Sequence, residues 1–291
     1  MDHEHAQRET KAILPVLAVV AMTAIWGSTF VVIKDAVEEL AIGSFLALRF
    51  LIAFLVLIAV RPGAFRRLSR VGMRRSAMLG LFYGVAQVLQ TWGLHYTSPS
   101  ISGFVTAMYI VFTPLILAVL FRTRVGAHAW IAVLIALIGI AVLSLQGLSV
   151  GPGELLTLAS AFVYAAHIVA LGIWARDHDA DALSTIQLGV IVLVAIAAMP
   201  FDGGVQLPST ASQWWAVLYT GVVAGTIVLL LQTWAQARIA PTRAAVIMML
   251  EPVFAAGFAV AVGVDQVTLR MLIGGSLVLV AMYIVELGPR R

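Results

Sequence analysis

Gln90-Thr91-Trp92, with Pro99 seven residues beyond the tryptophan, recurs as Gln232-Thr233-Trp234 with Pro241 seven residues beyond. A shared tripeptide alone is within chance for a chain of this length, so its surroundings decide its meaning. Each copy lies in a long apolar run, and the correspondence continues outside it. Pro114 answers Pro252 and Trp26 answers Tyr164, both at a spacing of 138 residues. The two Gln-Thr-Trp copies are 142 residues apart, so one half holds about one extra helical turn between Trp92 and Pro114. Self-similarity on this scale marks a duplicated architecture. Turn residues at Gly151-Pro152-Gly153 separate the copies, giving a first half over residues 1–148 and a second over 152–291.

The solvent of this chain follows from its composition. Of 291 residues, 62% are apolar and 11% charged, and the mean hydropathy is +1.02. Soluble domains carry roughly 25% charged residues, so a surface facing water is excluded. A membrane-spanning helix needs about 20 mostly apolar residues. Ten such runs occur, at approximately Ala12–Ile33, Ala41–Val60, Arg75–Tyr96, Ile101–Phe121, His128–Leu148, Glu154–Trp174, Leu183–Met199, Trp214–Gln236, Pro241–Gly263 and Leu269–Leu287. The third and eighth are the most polar. The first is too long for a secretory signal core, and Asp2, Glu4 and Glu9 dilute its basic flank, so it reads as a span.

Ten spans put both termini on one side. With that side cytoplasmic, 15 of the 18 Lys and Arg residues fall in inside segments; Lys34 and Arg270 lie outside and Arg49 lies within the second span. That is the positive-inside pattern. Five spans per half is an odd number, so the second copy enters the membrane from the opposite side. The expected fold is therefore an all-α integral membrane protein, with ten transmembrane helices in two inverted five-helix repeats around a central cavity. Secondary transporters use this arrangement, with the substrate at the midplane between repeats.

Trp26-Gly27-Ser28-Thr29-Phe30, Ala47-Leu48-Arg49-Phe50-Leu51, Ser102-Gly103-Phe104 running to Thr113-Pro114-Leu115, and Glu251-Pro252-Val253-Phe254 resemble the drug/metabolite transporter superfamily, and within it the ten-helix EamA branch. The resemblance covers essentially the whole chain. It implies a carrier of the bacterial inner membrane that exports metabolites, with the aromatic and neutral amino-acid exporters as the nearest functional group.

Polar residues inside a membrane protein face the bundle interior or a cavity. Ser102, Thr106, Tyr109 and Thr113 share one face of the fourth span. Tyr83, Gln87 and Gln90 share a face of the third, and Thr157, Ser160, Tyr164 and His167 a face of the sixth. The first, eighth and ninth spans add Trp26, Thr226 with Gln232, and Glu251. The second, fifth, seventh and tenth are nearly apolar in their middles, so six helices are expected around the cavity and four outside. Individual Ser and Thr residues are expected to join helices by hydrogen bonds. The large groups Trp26, Tyr83, Gln87, Tyr109, Tyr164 and His167, with Glu251, form the expected substrate-binding set, although a lone histidine also suits a purely hydrogen-bonding role. Glu251 is suited either to carrying a proton or to bonding near the backbone groups that Pro252 leaves free. Arg49 is expected to be structural, reaching outward to the interface or pairing with an acid. Pro114 and Pro252 are expected hinges.

No cysteine, nucleotide-binding loop or catalytic metal motif occurs, so neither cofactor nor metal is expected and the chain is not read as an enzyme. An intramembrane enzyme would need a nucleophile–base pair, and no convincing one occurs. The arginines are scattered between runs and form no patch for nucleic acid. The expected partners are a small-molecule substrate and the lipid bilayer, with the chain acting as a monomer. Phosphorylated substrates would require clustered Lys or Arg, which the spans lack. A zwitterion with an apolar side chain suits hydroxyl, amide and ring groups, while a lipophilic cation remains an alternative because of Glu251. The orientation is open to test with single cysteines at Ser69 and Ser209, since the chain has none of its own. A membrane-impermeant maleimide added to intact cells should label position 209 and spare position 69; labelling of position 69 from outside refutes the arrangement.

Overall fold

A computed structural model describes residues 2–122, 126–144, 151–240 and 250–287, together with residues 244, 247 and 248. Among the described residues all regular structure is helical. Six helices among the described residues are long and apolar enough to cross a membrane: Ile13–Glu39, Ile42–Val60, Pro99–Leu120, Pro152–Asp177, Ala180–Phe201 and Ala211–Gln236. Shorter apolar helices lie at Trp130–Gly139, Leu250–Ala261 and Leu269–Ala281. The third expected span forms a 27-residue helix, Arg70–Tyr96, whose arginines and amides make it the more polar segment anticipated. Pro241, and part of the ninth expected span with it, lies outside the described residues.

The main helix pairings join one half of the chain to the other. Arg70–Tyr96 lies against both Pro152–Trp174 and Ala180–Ala198, and Ile42–Val60 lies against Ala180–Ala198 and the segment Tyr219–Ile227. Asp2–Glu39 packs on Leu250–Ala261 and Val228–Gln236, and Ala127–Ser144 on Leu269–Leu287. Lipid is as apolar as leucine, so such pairings depend on close approach between backbones and on interhelical hydrogen bonds. Glycines supply the approach. A Cβ on Gly80 would stand 2.7 Å from the Gln187 carbonyl oxygen, and one on Gly221 would stand 2.6 Å from that of Arg49. Side-chain hydroxyls supply the bonds, among them Ser160 to the Ala86 carbonyl, Ser76 to that of Leu183, and Thr226 to that of Ala53. Thr113 and Thr157 instead bond carbonyls one turn back in their own helices.

Among the described residues, the fourth and eighth spans are not continuous α-helices. The fourth is divided at Ala107-Met108 into Pro99–Thr106 and Tyr109–Phe121. Pro114 lies inside the second piece, so the interruption precedes it. The turns leading into it tighten to i+3 bonds, with the Val105, Ala107 and Met108 carbonyls accepting from Met108, Ile110 and Val111. The eighth span begins as Ala211–Leu218, widens into a π-helix over Tyr219–Ile227, and resumes as Val228–Gln236. Such wide turns concentrate at functional positions in helices. Pro252 stands in the first turn of Leu250–Ala261, a place where its missing N–H is tolerated.

The close crossings predict a clear difference among glycines. Gly80→Ala and Gly221→Ala should each destabilise the protein by about 1–3 kcal/mol through overpacking. Gly257→Ala, where nothing lies within 4 Å of the added Cβ, should be close to neutral. Thermal unfolding in detergent measures this, and equal midpoints for the three variants would contradict it.

Candidate functional site

Between the helices lies a small cavity of about 30 Å³. Its wall includes Trp26 from the first span, Tyr83 and Gln87 from the third, Tyr109 from the fourth, Tyr164 from the sixth and Glu251 from the ninth. Thr29, Gln90, Thr106 and Gln232 add to the polar lining, so both glutamines of the repeated Gln-Thr-Trp face the same space. His167 does not line it. That ring is fully buried one layer behind, edge-on to Tyr83 at 5.2 Å between centroids, with Nε2 3.0 Å from the Gln187 amide oxygen. It joins the sixth span to the seventh, the hydrogen-bonding place that a polar stripe can equally serve.

The second span also reaches the cavity, through Arg49. This arginine neither snorkels nor forms an ion pair. It is 4% exposed and bonds no carboxylate, whereas Arg61, Arg67 and Arg75 pair with Asp181, Asp179 and Asp177. Its guanidinium carbon lies 4.4 Å from the centroid of Phe50 and 5.5 Å from that of Phe45. Nη2 donates to the Gln87 oxygen at 2.8 Å, while Nε and Nη1 have no hydrogen-bond partner. The sequence does carry a signal for this position: one charge in the middle of an otherwise uncharged helix is functional by default.

Arg49 also sets the direction of a hydrogen-bond chain. A guanidinium only donates, so it fixes the Gln87 oxygen toward itself and the Gln87 amide toward the Tyr164 hydroxyl, 2.5 Å away. Tyr164 must then donate onward, to the Gln90 oxygen at 3.0 Å. The Gln90 amide in turn donates to the Thr106 hydroxyl at 3.0 Å. Four spans are thus linked by side chains whose orientations follow from a single cation. Trp26 adds a separate link, its indole N–H donating to the Ala224 carbonyl in the π-helical segment at 3.4 Å.

The opposite arrangement surrounds Glu251, which is 6% exposed. Pro252 cannot donate to the carbonyl four residues earlier, that of Met248. The Tyr109 hydroxyl takes up this acceptor at 2.8 Å and also lies 3.1 Å from Glu251 Oε2. The Glu251 N–H donates to the same carbonyl at 3.0 Å. A tyrosine beside the break in the fourth span therefore adds a second donor to a carbonyl just before the helix that carries Pro252.

The family model of the EamA-like transporters matches the chain twice, over residues 13–145 and 151–287. The chain belongs to the EamA-like transporter family. An uncharacterized transporter of Archaeoglobus fulgidus is 31% identical over 274 residues, covering 93% of this chain and 84% of that protein. A solved crystal structure matches with a TM-score of 0.69 at 20% identity, over 92% of this chain and 95% of that one, and shares the fold. This EamA-like transporter is thus a multi-pass membrane protein whose polar cavity lies among the helices of both matched segments.

Proposed function

We propose that this EamA-like transporter is a secondary carrier that exports small neutral or aromatic amino acids across a bacterial inner membrane, with both termini in the cytoplasm. The observation that carries the reading is the cavity wall. Its large groups are aromatic rings and glutamine amides, with one base, Arg49, and one acid, Glu251. Such a wall suits a molecule of no net charge with an apolar or aromatic side chain. Clustered cations for phosphate are absent from the lining, and an arginine disfavours a cationic guest.

The carrier is proposed to work by alternating access between two inverted five-helix repeats, residues 1–148 and 152–291. Two observations support this. The family model matches each half separately. The helix pairings also keep their pattern when the halves are exchanged. Asp2–Glu39 on Leu250–Ala261 corresponds to Pro152–Trp174 on the fourth-span helices, and Arg70–Tyr96 on Ala180–Ala198 corresponds to the π-helical segment on Ile42–Val60. Pro114 and Pro252, at equivalent places in the fourth and ninth spans, are proposed as the hinges. Substrate would rest against Trp26, Tyr83, Gln87, Tyr109, Tyr164 and Glu251, with His167 supporting Tyr83 from behind.

Counterflow in liposomes holding only this protein tests the substrate. Labelled phenylalanine or leucine should exchange, and quaternary ammonium dyes should compete poorly. Strong competition by dyes without amino-acid exchange would replace the reading by cationic-compound efflux. The hinges are tested separately by Pro114→Ala with Pro252→Ala: turnover should fall about tenfold or more while binding changes little, as expected where a conformational step limits the rate. Unchanged turnover in the double variant excludes the hinge role.

A further inference from the structure

Arg49 is an anomaly among the buried polar groups. An ionised side chain in the hydrocarbon region is costly and is kept only where it is paired or put to use. Here the guanidinium has one hydrogen bond, to a neutral amide, and two phenylalanine rings as its other described neighbours. Nε and Nη1 are buried and unbonded. Nη2 carries a second N–H beyond the one given to Gln87, so one edge of the guanidinium fork retains a full pair of donors. The Glu251 carboxylate lines the same cavity but is held by Tyr109, with no ion pair to Arg49.

We propose that Arg49 is the anchor for the substrate's carboxylate, bound as a forked pair of charge-assisted hydrogen bonds, and that the ammonium end lies toward Glu251 and Tyr109. The inference rests on the amino-acid reading above and assigns the two ends of that substrate. The planar fork matches a carboxylate in shape. A single buried cation neutralises one carboxylate and falls short of a phosphate dianion. Gln87 holds the guanidinium from one side, and the Phe50 ring keeps it in place at 4.4 Å, so little ordering remains to be done when the anion arrives. The dipeptide Arg49-Phe50 thus forms a positioned receptor on a helix that otherwise faces apolar neighbours.

The test compares ligands that differ only at the carboxylate. In wild-type proteoliposomes, phenylalanine should compete for labelled phenylalanine about 10–100-fold better than phenylalaninamide, the range expected for losing a charged hydrogen-bonding partner. Arg49→Gln should bring the two ligands within about threefold of each other, by weakening phenylalanine and leaving the amide nearly unchanged. Arg49→Lys, which keeps the charge and loses the fork, should retain part of the preference. Equal competition by both ligands in the wild type overturns the assignment without any variant, so a poorly folding Arg49→Gln does not remove the test. So does an Arg49→Gln variant that weakens both ligands by the same factor, the signature of a purely structural arginine. If the wild type exchanges amino acids but ignores the carboxylate, only the Arg49 assignment falls. If it exchanges no amino acid at all, the amino-acid reading falls with it.

Discussion

Hydrocarbon gives a polar group nothing to bond to, and in this protein the group for which that matters most is the Arg49 guanidinium. Its burial imposes conditions on its own helix and on two others. Gly221 must lack a side chain for the π-helical segment to lie against the Arg49 carbonyl, Gln87 must turn its oxygen inward, and Phe50 must lie flat beneath the charge. Because Gln87 is turned, Tyr164 accepts from it and donates to Gln90, and Gln90 donates to Thr106. The polar wall of the cavity is therefore ordered by one donor-only residue, and its amides have a defined direction rather than two equivalent ones.

The same constraint explains why the two halves interleave. The Met248 carbonyl, bonded by the Glu251 N–H in its own half, takes a second hydrogen bond from Tyr109 in the other. Likewise Ser184 of the second half bonds Thr233 within it, but Thr226 reaches the Ala53 carbonyl, and Ser160 that of Ala86, across the division. Interhelical hydrogen bonds in membranes are individually modest, near 0.6 kcal/mol on average. Their role here is to fix register between backbones already brought together at glycines.

Much of this was legible in the residues. Runs of apolar residues give the helices because a membrane span has a minimum length, and helical spacing points Tyr83, Gln87, Tyr109 and Tyr164 inward, while Trp26 and Glu251 stand out singly as polar-tipped or ionisable groups within apolar spans. What spacing lacks is depth. His167 continues the stripe of Tyr164 yet meets Gln187, a polar residue of a span read as apolar, and so becomes a contact between helices. Arg49 was legible as a charge but its surroundings were not, since two phenylalanines and a glutamine from another helix are needed to hold it inward. The interruption at Ala107-Met108 has neither glycine nor proline at the break itself, and the π-helix over Tyr219–Ile227 likewise has no proline to announce it. Both arise from tertiary contact: the first puts Tyr109 opposite the Met248 carbonyl, and the second brings Ala224 to the indole of Trp26.

The charge pattern bears on how such a carrier would turn over. Under the proposed binding mode, a base and an acid on separate parts of one cavity, bonded only to neutral neighbours while the site is empty, lack a charged partner until cargo arrives. A zwitterion bound between Arg49 and Glu251 supplies the missing partner to each, and the loaded site becomes electrically balanced. Since a conformational equilibrium is shifted only by interactions that differ between its states, closure of the cavity around these two charges is favoured when the substrate is there to pair them and opposed when it is not. The polarity that makes the empty site costly would then couple movement of the helices to the presence of cargo. Under the proposed binding mode, exchange of one substrate for another is correspondingly easier than return of the empty carrier.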